Sequence, residues 1–475
     1  MLAASLWHGD PDGSKDENVL TLVQDQSGKA RKWSPCLGCV HVFVMERRLP
    51  VVSRFGRIIP VLVSLTVGTV VSAQTELSMW YHGSQNEFER EIIVEIVEDF
   101  NASQPDWKVI LKSFPEGSYN DSVVQAAQTG NLPDIIDVDA PVVANWAWLG
   151  YLQPLNLTEA KVAAFLPSAV GRWNGHIYSV GLWEAALAIL TRKSTLEKYD
   201  IRLPSLAAPW SADEFETALV KIKKSGDFEY PLDLGLAREG EWFPYAISPF
   251  LQSFGGDLID RSAYDTAQGV LNGEAALKFG RWWQSLFTRG LVPGPGEPQS
   301  DRTAALIEGR YAMAWDGNWS VLDFIEAFGE DAVFLPAPDF GQGSVIGAGS
   351  WQFGVSATSK HVDGASAFVE FAIQDRYLST IADELGLIPP TPAAASASAN
   401  YGPEGRLSGF VDLSRQQALL RPVSPSYVVI AKVFERALVE IAEGGDVKTV
   451  LDEATDDINR DIKRNAGYVN QLGVE

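Results

Sequence analysis

The stretch Thr75-Glu-Leu-Ser-Met-Trp-Tyr81, running into the polar turn His82-Gly83-Ser84, decides the fold, because it has strand character and a helix pattern follows it at once. Phe88, Ile92, Ile96 and Phe100 then recur every four residues with Ile93 and Val97 beside them, a spacing that predicts an amphipathic helix. Lys108 to Phe114 reads as a second strand, and a helix from Asn120 ends at Gly130. After Leu132-Pro133-Asp134, the run Ile135-Ile-Asp-Val138 reads as a third strand. A strand-helix-strand-helix-strand start predicts an α/β chain with a parallel sheet. In an open sheet of that kind ligands sit beyond the carboxyl ends of the strands, so the residues just after each strand are the candidates for function.

Further along, Trp210-Ser211-Ala-Asp-Glu214 opens another helix. Ser211 and Glu214 form a capping box there, and Phe215, Ala218, Leu219 and Ile222 supply the buried stripe. Later helices are expected over 273–287, 362–385 and 425–443, with Pro-, Gly- or Ala-rich loops at 293–298 and 389–405. Trp146, Trp148, Trp282 and Trp283 lie at helical spacings and are expected to pack in or on the core.

Upstream of Thr75, the uncharged run Ile58 to Val71 follows Arg47, Arg48, Arg54 and Arg57 and precedes Val71-Ser72-Ala73. Basic end, apolar centre and small-residue site make a secretory signal, with cleavage expected after Ala73. A membrane-spanning helix needs about 20 apolar residues, and this run is too short. Met45 begins a signal of ordinary length, so residues 1–44 are expected to be a non-native upstream extension and 45–73 the signal peptide. Both cysteines, Cys36 and Cys39, fall in that extension, where no second Cys pair or His cluster completes a metal or redox site. The exported part has no Cys for a disulfide or a lipid anchor. A free periplasmic protein is the expectation.

The chain has 475 residues, 46% of them hydrophobic and 21% charged, which is ordinary for a folded chain of two or three domains. Without the 8 basic and 6 acidic residues of 1–73, the rest carries 30 basic and 55 acidic residues, a formal charge of -25. Such a field repels phosphate backbones and anionic lipid, so no nucleic-acid partner is expected. Fifteen tryptophans suit flat, hydroxyl-rimmed ligands such as sugars. The strand-end candidates are Tyr81, His82, Asp137, Asp139, Trp183, Glu184, Asp316 and Trp319, with Trp242 and Trp351 in loops flanked by Gly or Pro. Carboxylates there take sugar hydroxyls and Trp faces stack on pyranose rings. Asp137, Asp139 and Asp316 equally fit turn or capping roles, and His82 fits a solvent-facing loop residue.

Several blocks in order resemble one family. Gly130-Asn-Leu-Pro133-Asp134-Ile-Ile with Trp146-Ala-Trp-Leu-Gly150-Tyr-Leu-Gln-Pro154 resembles the second block of the family 1 extracellular solute-binding proteins of carbohydrate ABC transporters, the maltose-binding-protein-like group. Asn174-Gly-His-Ile-Tyr178-Ser-Val-Gly-Leu-Trp183-Glu184 is similar to its hinge-crossing segment. Ile307-Glu-Gly309-Arg-Tyr-Ala-Met313-Ala-Trp-Asp316-Gly-Asn-Trp319 is similar to its most distinctive block. Trp210 to Phe215, Leu385 to Pro389 and Val447 to Arg460 fit its later blocks, so the resemblance covers nearly all of 75–465.

The resemblance implies a two-lobe periplasmic binding protein fold of type II, with a ligand cleft between lobes joined by hinge crossings. It assigns 74–186 plus 313–357 to the first lobe and 187–312 plus 358–475 to the second. Glu184 falls at a hydroxyl-binding glutamate and Trp319 at a sugar-stacking tryptophan. Arg421 and Tyr427 lie where the second lobe would face the cleft, Tyr427 nearest to a cleft tryptophan that this chain lacks. The implied function is capture of a mono- or oligosaccharide and delivery to the membrane permease subunits of an ABC transporter, by a monomer with no catalytic residue, metal or cofactor. Two alternatives stay open: a secreted glycoside hydrolase with Glu184 and Asp316 as its carboxylate pair, and a binding protein for a polyamine or other non-sugar solute. Against the hydrolase, the strands and helices do not repeat as eight βα units.

Overall fold

The computed structural model describes residues 74–83, 87–297 and 302–468; the expected upstream extension and signal peptide lie outside the described residues. Strand alternation builds the first sheet. β1 (Thr75–Tyr81) buries Leu77, Met79 and Tyr81 at every second position, and it pairs in parallel with β2 (Trp107–Ser113) and β3 (Ile135–Asp139). The connecting helix Glu87–Ser103 buries Ile92, Ile93, Ile96, Val97 and Phe100, each contributing about 1.5–3 kcal/mol. Phe88, expected in that stripe, is 73% exposed; it is the second residue of the helix, and burial begins a turn later at Ile92. β4 (Leu152–Gln153), β5 (Val170–Trp173) and β6 (His176–Gly181) follow. Ile135 packs in one core and Ile136 and Val138 in another, so helices cover the sheet on both faces.

The chain then crosses to a second sheet with β7 (Ala185–Arg192), β8 (Tyr230–Asp233), β9 (Tyr311–Gly317), β10 (Ala332–Leu335) and β11 (Ile346–Gly349). It returns for β12 (Trp351–Ser356) and crosses again for β13 (Ala418–Leu420). Among the described residues the first sheet has seven strands in the order β2-β1-β3-β12-β6-β5, with β4 on β12. The second has six in the order β13-β11-β7-β9-β8, with β10 on β7.

The second core gathers the helix Ala212–Ser225, where the Ser211 hydroxyl accepts from the Glu214 N–H and the Glu214 carboxylate accepts from the Ser211 N–H at 3.0 Å. The helices Glu274–Thr288, Tyr427–Ala442 and Val447–Arg464 join it, and the Trp283 indole N–H donates to the Leu438 carbonyl at 2.9 Å. Trp146 and Trp283 are buried, and Trp148 and Trp282 pack against the second core.

Two expectations are corrected by strand pairing and packing. Residues 313–349 belong with the second sheet, because β9 pairs with β7 and β8, and β11 with β7 and β13; the chain rejoins the first sheet only at Trp351. Conversely the stretch 362–385 covers the first sheet, with Phe368 set edge-on to Phe100 at 5.3 Å. That stretch is two helices, Val362–Ala372 and Asp375–Leu385, because Gln374 between them is extended at ψ 138°. No helix of the described residues is long and apolar enough to cross a membrane.

Candidate functional site

The crossings between the sheets meet at Glu184. It lies between β6 and β7, and its backbone exchanges hydrogen bonds with Ile388, 2.8 Å from the Glu184 N–H and 3.0 Å from the Ile388 N–H. Its carboxylate Oε1 accepts from the Gly349 N–H at 2.7 Å, at the β11–β12 crossing. Gly349 has φ 142°, a backbone conformation that favours glycine, and a Cβ there would lie 2.5 Å from an Arg421 nitrogen and push the guanidinium aside. Glu184 is fully buried and its Oε2 has no hydrogen-bond partner among the described residues. Burial pushes its carboxyl up to about 8, against the pull of the Gly349 N–H, the Arg421 charge and the Ala185 N–H.

Arg421, just after β13 in the second lobe, reaches across to Asp139 at the end of β3 in the first. Its two Nη atoms each lie 3.1 Å from a different oxygen of that carboxylate, a paired geometry that fixes orientation as well as energy. It also pairs with Glu241 at 2.5 Å, and the buried Tyr427 hydroxyl donates to the same Glu241 oxygen. The Tyr245 ring lies 5.0 Å from the guanidinium. Burial and the neighbouring Asp139 raise the Glu241 carboxyl to about 7, although Arg421 opposes them. The Glu241 side chain keeps 36% exposure, so water blunts that rise. Arg421 itself stays protonated: burial works against its charge, and Asp139 and Glu241 outweigh burial.

On the first lobe, His82 follows β1 and its ring stacks on Trp351 with centroids 3.8 Å apart and planes 8° apart. His82 Nδ1 is 2.5 Å from Asp137 Oδ2, and its Nε2 is 3.6 Å from Glu89. Burial favours the neutral ring, but Asp137 outweighs it and the imidazole is pushed up to about 9. The Tyr81 hydroxyl donates to Glu89, and the Tyr119 hydroxyl donates to the Asp137 carbonyl at 2.7 Å. His82 is thus a buried, ion-paired residue and not a solvent-facing one. Trp351 lies opposite Asp139 in the β3–β12 register, so this cluster adjoins the Arg421 pair.

On the second lobe, Asp316 at the end of β9 sits 3.0 Å from Arg238 and 3.3 Å from Arg302, and it also accepts from the Gly317 N–H at 2.8 Å. Burial raises its pKa, but the two guanidiniums win and it is held below the usual carboxylate range. Arg302 is paired on its other side with Asp233 at 2.6 Å. Arg238 lies 4.5 Å over the Trp242 ring, and the Trp242 N–H donates to the Leu234 carbonyl at 2.8 Å. Trp319 is half-buried, edge-on to Trp242 at 6.3 Å, and packs against the cores of both lobes.

Of the residues expected from sequence, Asp139, Glu184, Trp242, Asp316, Trp319, Trp351, Arg421 and Tyr427 gather around this junction. The charges of Glu184, Arg421, Asp139 and Asp316 all act on the Tyr245 hydroxyl. Tyr81 is fully buried and contributes only its hydroxyl, while Trp183 packs in the first-lobe core. Sequence reasoning missed Glu89, Tyr119, Arg238, Glu241, Tyr245 and Arg302. Three of them stand in Arg238-Glu-Gly-Glu241-Trp242-Phe-Pro-Tyr245, where charged residues alternate with aromatics in one short segment. A separate cavity of about 860 Å³ lies on the first lobe, lined by Phe165, Phe371 and Pro392, and contains none of these residues. No group of three His, Cys, Asp or Glu side chains arranged to hold a metal occurs among the described residues.

A sequence model of bacterial extracellular solute-binding proteins matches residues 95–403. An uncharacterized lipoprotein in the oleD 5' region of Streptomyces antibioticus is 26% identical over 301 residues, which are 61% of this chain and 64% of the relative, so the chain spans less than two thirds of that relative's length. Among solved structures, the GacH receptor of Streptomyces glaucescens, determined unliganded and with acarbose, is 23% identical with a TM-score of 0.68, covering 83% of this chain and 98% of its own. The cyclic alpha-maltosyl-1,6-maltose binding protein of Arthrobacter globiformis is 20% identical with a TM-score of 0.67, covering 82% and 100%. The maltose/maltodextrin-binding domain of Bdellovibrio bacteriovorus, bound to maltotriose, is 19% identical with a TM-score of 0.67, covering 82% and 100%. At these identities the likeness is one of fold: two α/β lobes of a periplasmic binding protein.

Proposed function

The chain belongs to the bacterial extracellular solute-binding proteins, and from that premise we propose that it captures a mono- or oligosaccharide between its two lobes and delivers it to the membrane permease subunits of an ABC transporter. Family and fold are those of binding proteins and not of enzymes. The observation that carries the reading is the convergence on Glu184 of side chains from both lobes, above all the Asp139–Arg421 pair that joins them. Contacts that exist only when the lobes meet are what a closing cleft uses to favour the bound form. Trp319, which touches both cores, supplies an aromatic face at that boundary. The ligand set is His82, Asp137, Asp139, Glu184, Trp242, Asp316, Trp319, Trp351, Arg421 and Tyr427, with Glu241 and Tyr245 added; Tyr81 and Trp183, expected in it, act as packing behind it. The working lobes are 74–184 with 351–397, and 185–350 with 398–468. The mature chain begins after Ala73, acts as a monomer and works in the periplasm.

A thermal-shift screen against monosaccharides, oligosaccharides, polyols and polyamines tests the reading. A ligand at 100 times its Kd stabilises the native state by about 2.7 kcal/mol. A saccharide hit recovered unaltered supports capture. A response to polyamines alone removes the sugar, and a hit converted to products makes the protein a hydrolase.

A further inference from the structure

We infer that the sugar carries a protonated amine, so that the solute is an amino sugar and not a neutral one. The inference rests on the sugar-capture reading. Its basis is the charge balance at the junction. Asp316 is offset by Arg238 and Arg302. By contrast Asp139, Glu241 and Glu184 face Arg421 alone, one guanidinium for three carboxyl groups. Asp139 and Glu241 occupy both Nη atoms of that guanidinium. Glu184 Oε2, fully buried, is left without a hydrogen-bond partner among the described residues, and so is Asp137 Oδ1, two residues before Asp139 on the same face of β3.

A buried acceptor with no donor, in a cluster where carboxyl groups outnumber the one guanidinium, is matched by a group that brings both a donor and a positive charge. An ammonium substituent on a pyranose does so with three donors, and the ring keeps an apolar face for Trp319. A neutral sugar hydroxyl fills the same hydrogen bond and leaves Glu184 and Glu241 holding their protons.

Without such a cation, burial keeps part of the cluster protonated, Glu184 at about 8 and the partly exposed Glu241 at about 7. The charged and titratable groups facing them are Arg421 and Tyr245 for Glu184, and Arg421, Asp139 and Tyr427 for Glu241. An arriving ammonium lowers both carboxyl values, so binding near neutral pH releases protons.

The experiment is isothermal titration calorimetry at pH 7 in two buffers of different ionisation enthalpy. The probes are D-glucosamine and its β-1,4 trimer, N-acetyl-D-glucosamine and its trimer, D-glucose and maltotriose. The expected result is that an amine form binds at least about tenfold tighter than its neutral counterpart, with net proton release. Glu184→Gln, with Glu241→Gln as a second variant at a partly exposed position, should narrow that preference. If neutral sugars bind as tightly as the amines, or the amines bind without proton release, the amine inference is overturned and sugar capture stands. If no saccharide of either charge binds, both fall.

Discussion

Arg302 and Arg421 each lie between two carboxylates, Asp233 and Asp316 for the first, Asp139 and Glu241 for the second. The Arg302 centre closes within the second lobe, whereas the Arg421 centre takes Asp139 from β3 of the first lobe and Glu241 from the second. The surroundings differ too. Asp316 is held ionised by two guanidiniums, while burial and crowding push Glu241 and Glu184 toward the protonated form. The same residue types therefore serve two purposes: a fixed strut where every charge is matched inside one lobe, and a contact between lobes where carboxyl groups outnumber the one guanidinium.

The largest effect that separates them is on stability. Arg302→Met leaves Asp233 buried without its guanidinium and Asp316 with Arg238 alone, and breaking such a buried pair costs about 3–5 kcal/mol. Urea denaturation should show that loss whether or not ligand is present; a loss below about 1 kcal/mol, the value of a surface pair, contradicts the strut.

The second difference is the sign of the pH response. The stabilisation from Asp316, whose pKa is lowered from 3.8, is present above that value and disappears as pH falls through its folded value. Glu184 behaves oppositely. Its pKa rises from 4.5 to about 8, so the folded state holds a proton that the unfolded state releases, and stability declines as pH rises across that window. His82, raised from 6.5 to about 9, contributes fully below 6.5 and loses its contribution through 9. A tenfold difference in proton affinity between folded and unfolded chain is worth about 1.4 kcal/mol. Denaturation midpoints should fall from pH 5 toward pH 9, and Glu184→Gln should flatten the portion below pH 8. An unchanged slope in that variant removes Glu184 as the source.

Arg421→Met comes next. It is expected to cost about 1–3 kcal/mol of stability, and in addition to open the lobes. Small-angle scattering should report a larger radius of gyration than for the wild type, a change that Arg302→Met should not produce. Equal radii would make the Arg421 centre a second strut.

The smallest effect on the fold is Trp319→Ala at the boundary, which should weaken sugar binding by about 1–3 kcal/mol. Binding unchanged, in a protein that melts normally, takes Trp319 out of the site.

Local order was legible in the sequence, and long-range pairing was not. The alternation in Thr75 to Tyr81 and the four-residue recurrence from Ile92 to Phe100 dictate a strand and a helix by themselves. The Ser211–Glu214 box likewise marks its helix start, because capping involves only neighbours. Which sheet β9 and β11 join depends on their pairing with β7, more than a hundred residues earlier, and no local pattern encodes that. The same applies to the site. Asp139, Glu184, Asp316 and Trp319 stand at strand ends, where sheet geometry points to them. Arg302 and Glu241 come from a short helix and a loop, and their function exists only through partners far along the chain. His82 has the appearance of a loop residue until Asp137 and Trp351 enclose it.

Sugar capture is tested at its root by a crystal structure of the protein with the saccharide that gives the largest thermal shift. The expected result is an intact sugar between the lobes, in contact with Glu184 and Trp319, with Arg421 and Asp139 closed around it. Sugar seated instead in the first-lobe cavity beside Phe165 and Phe371, or found cleaved at the junction, would contradict capture at this site.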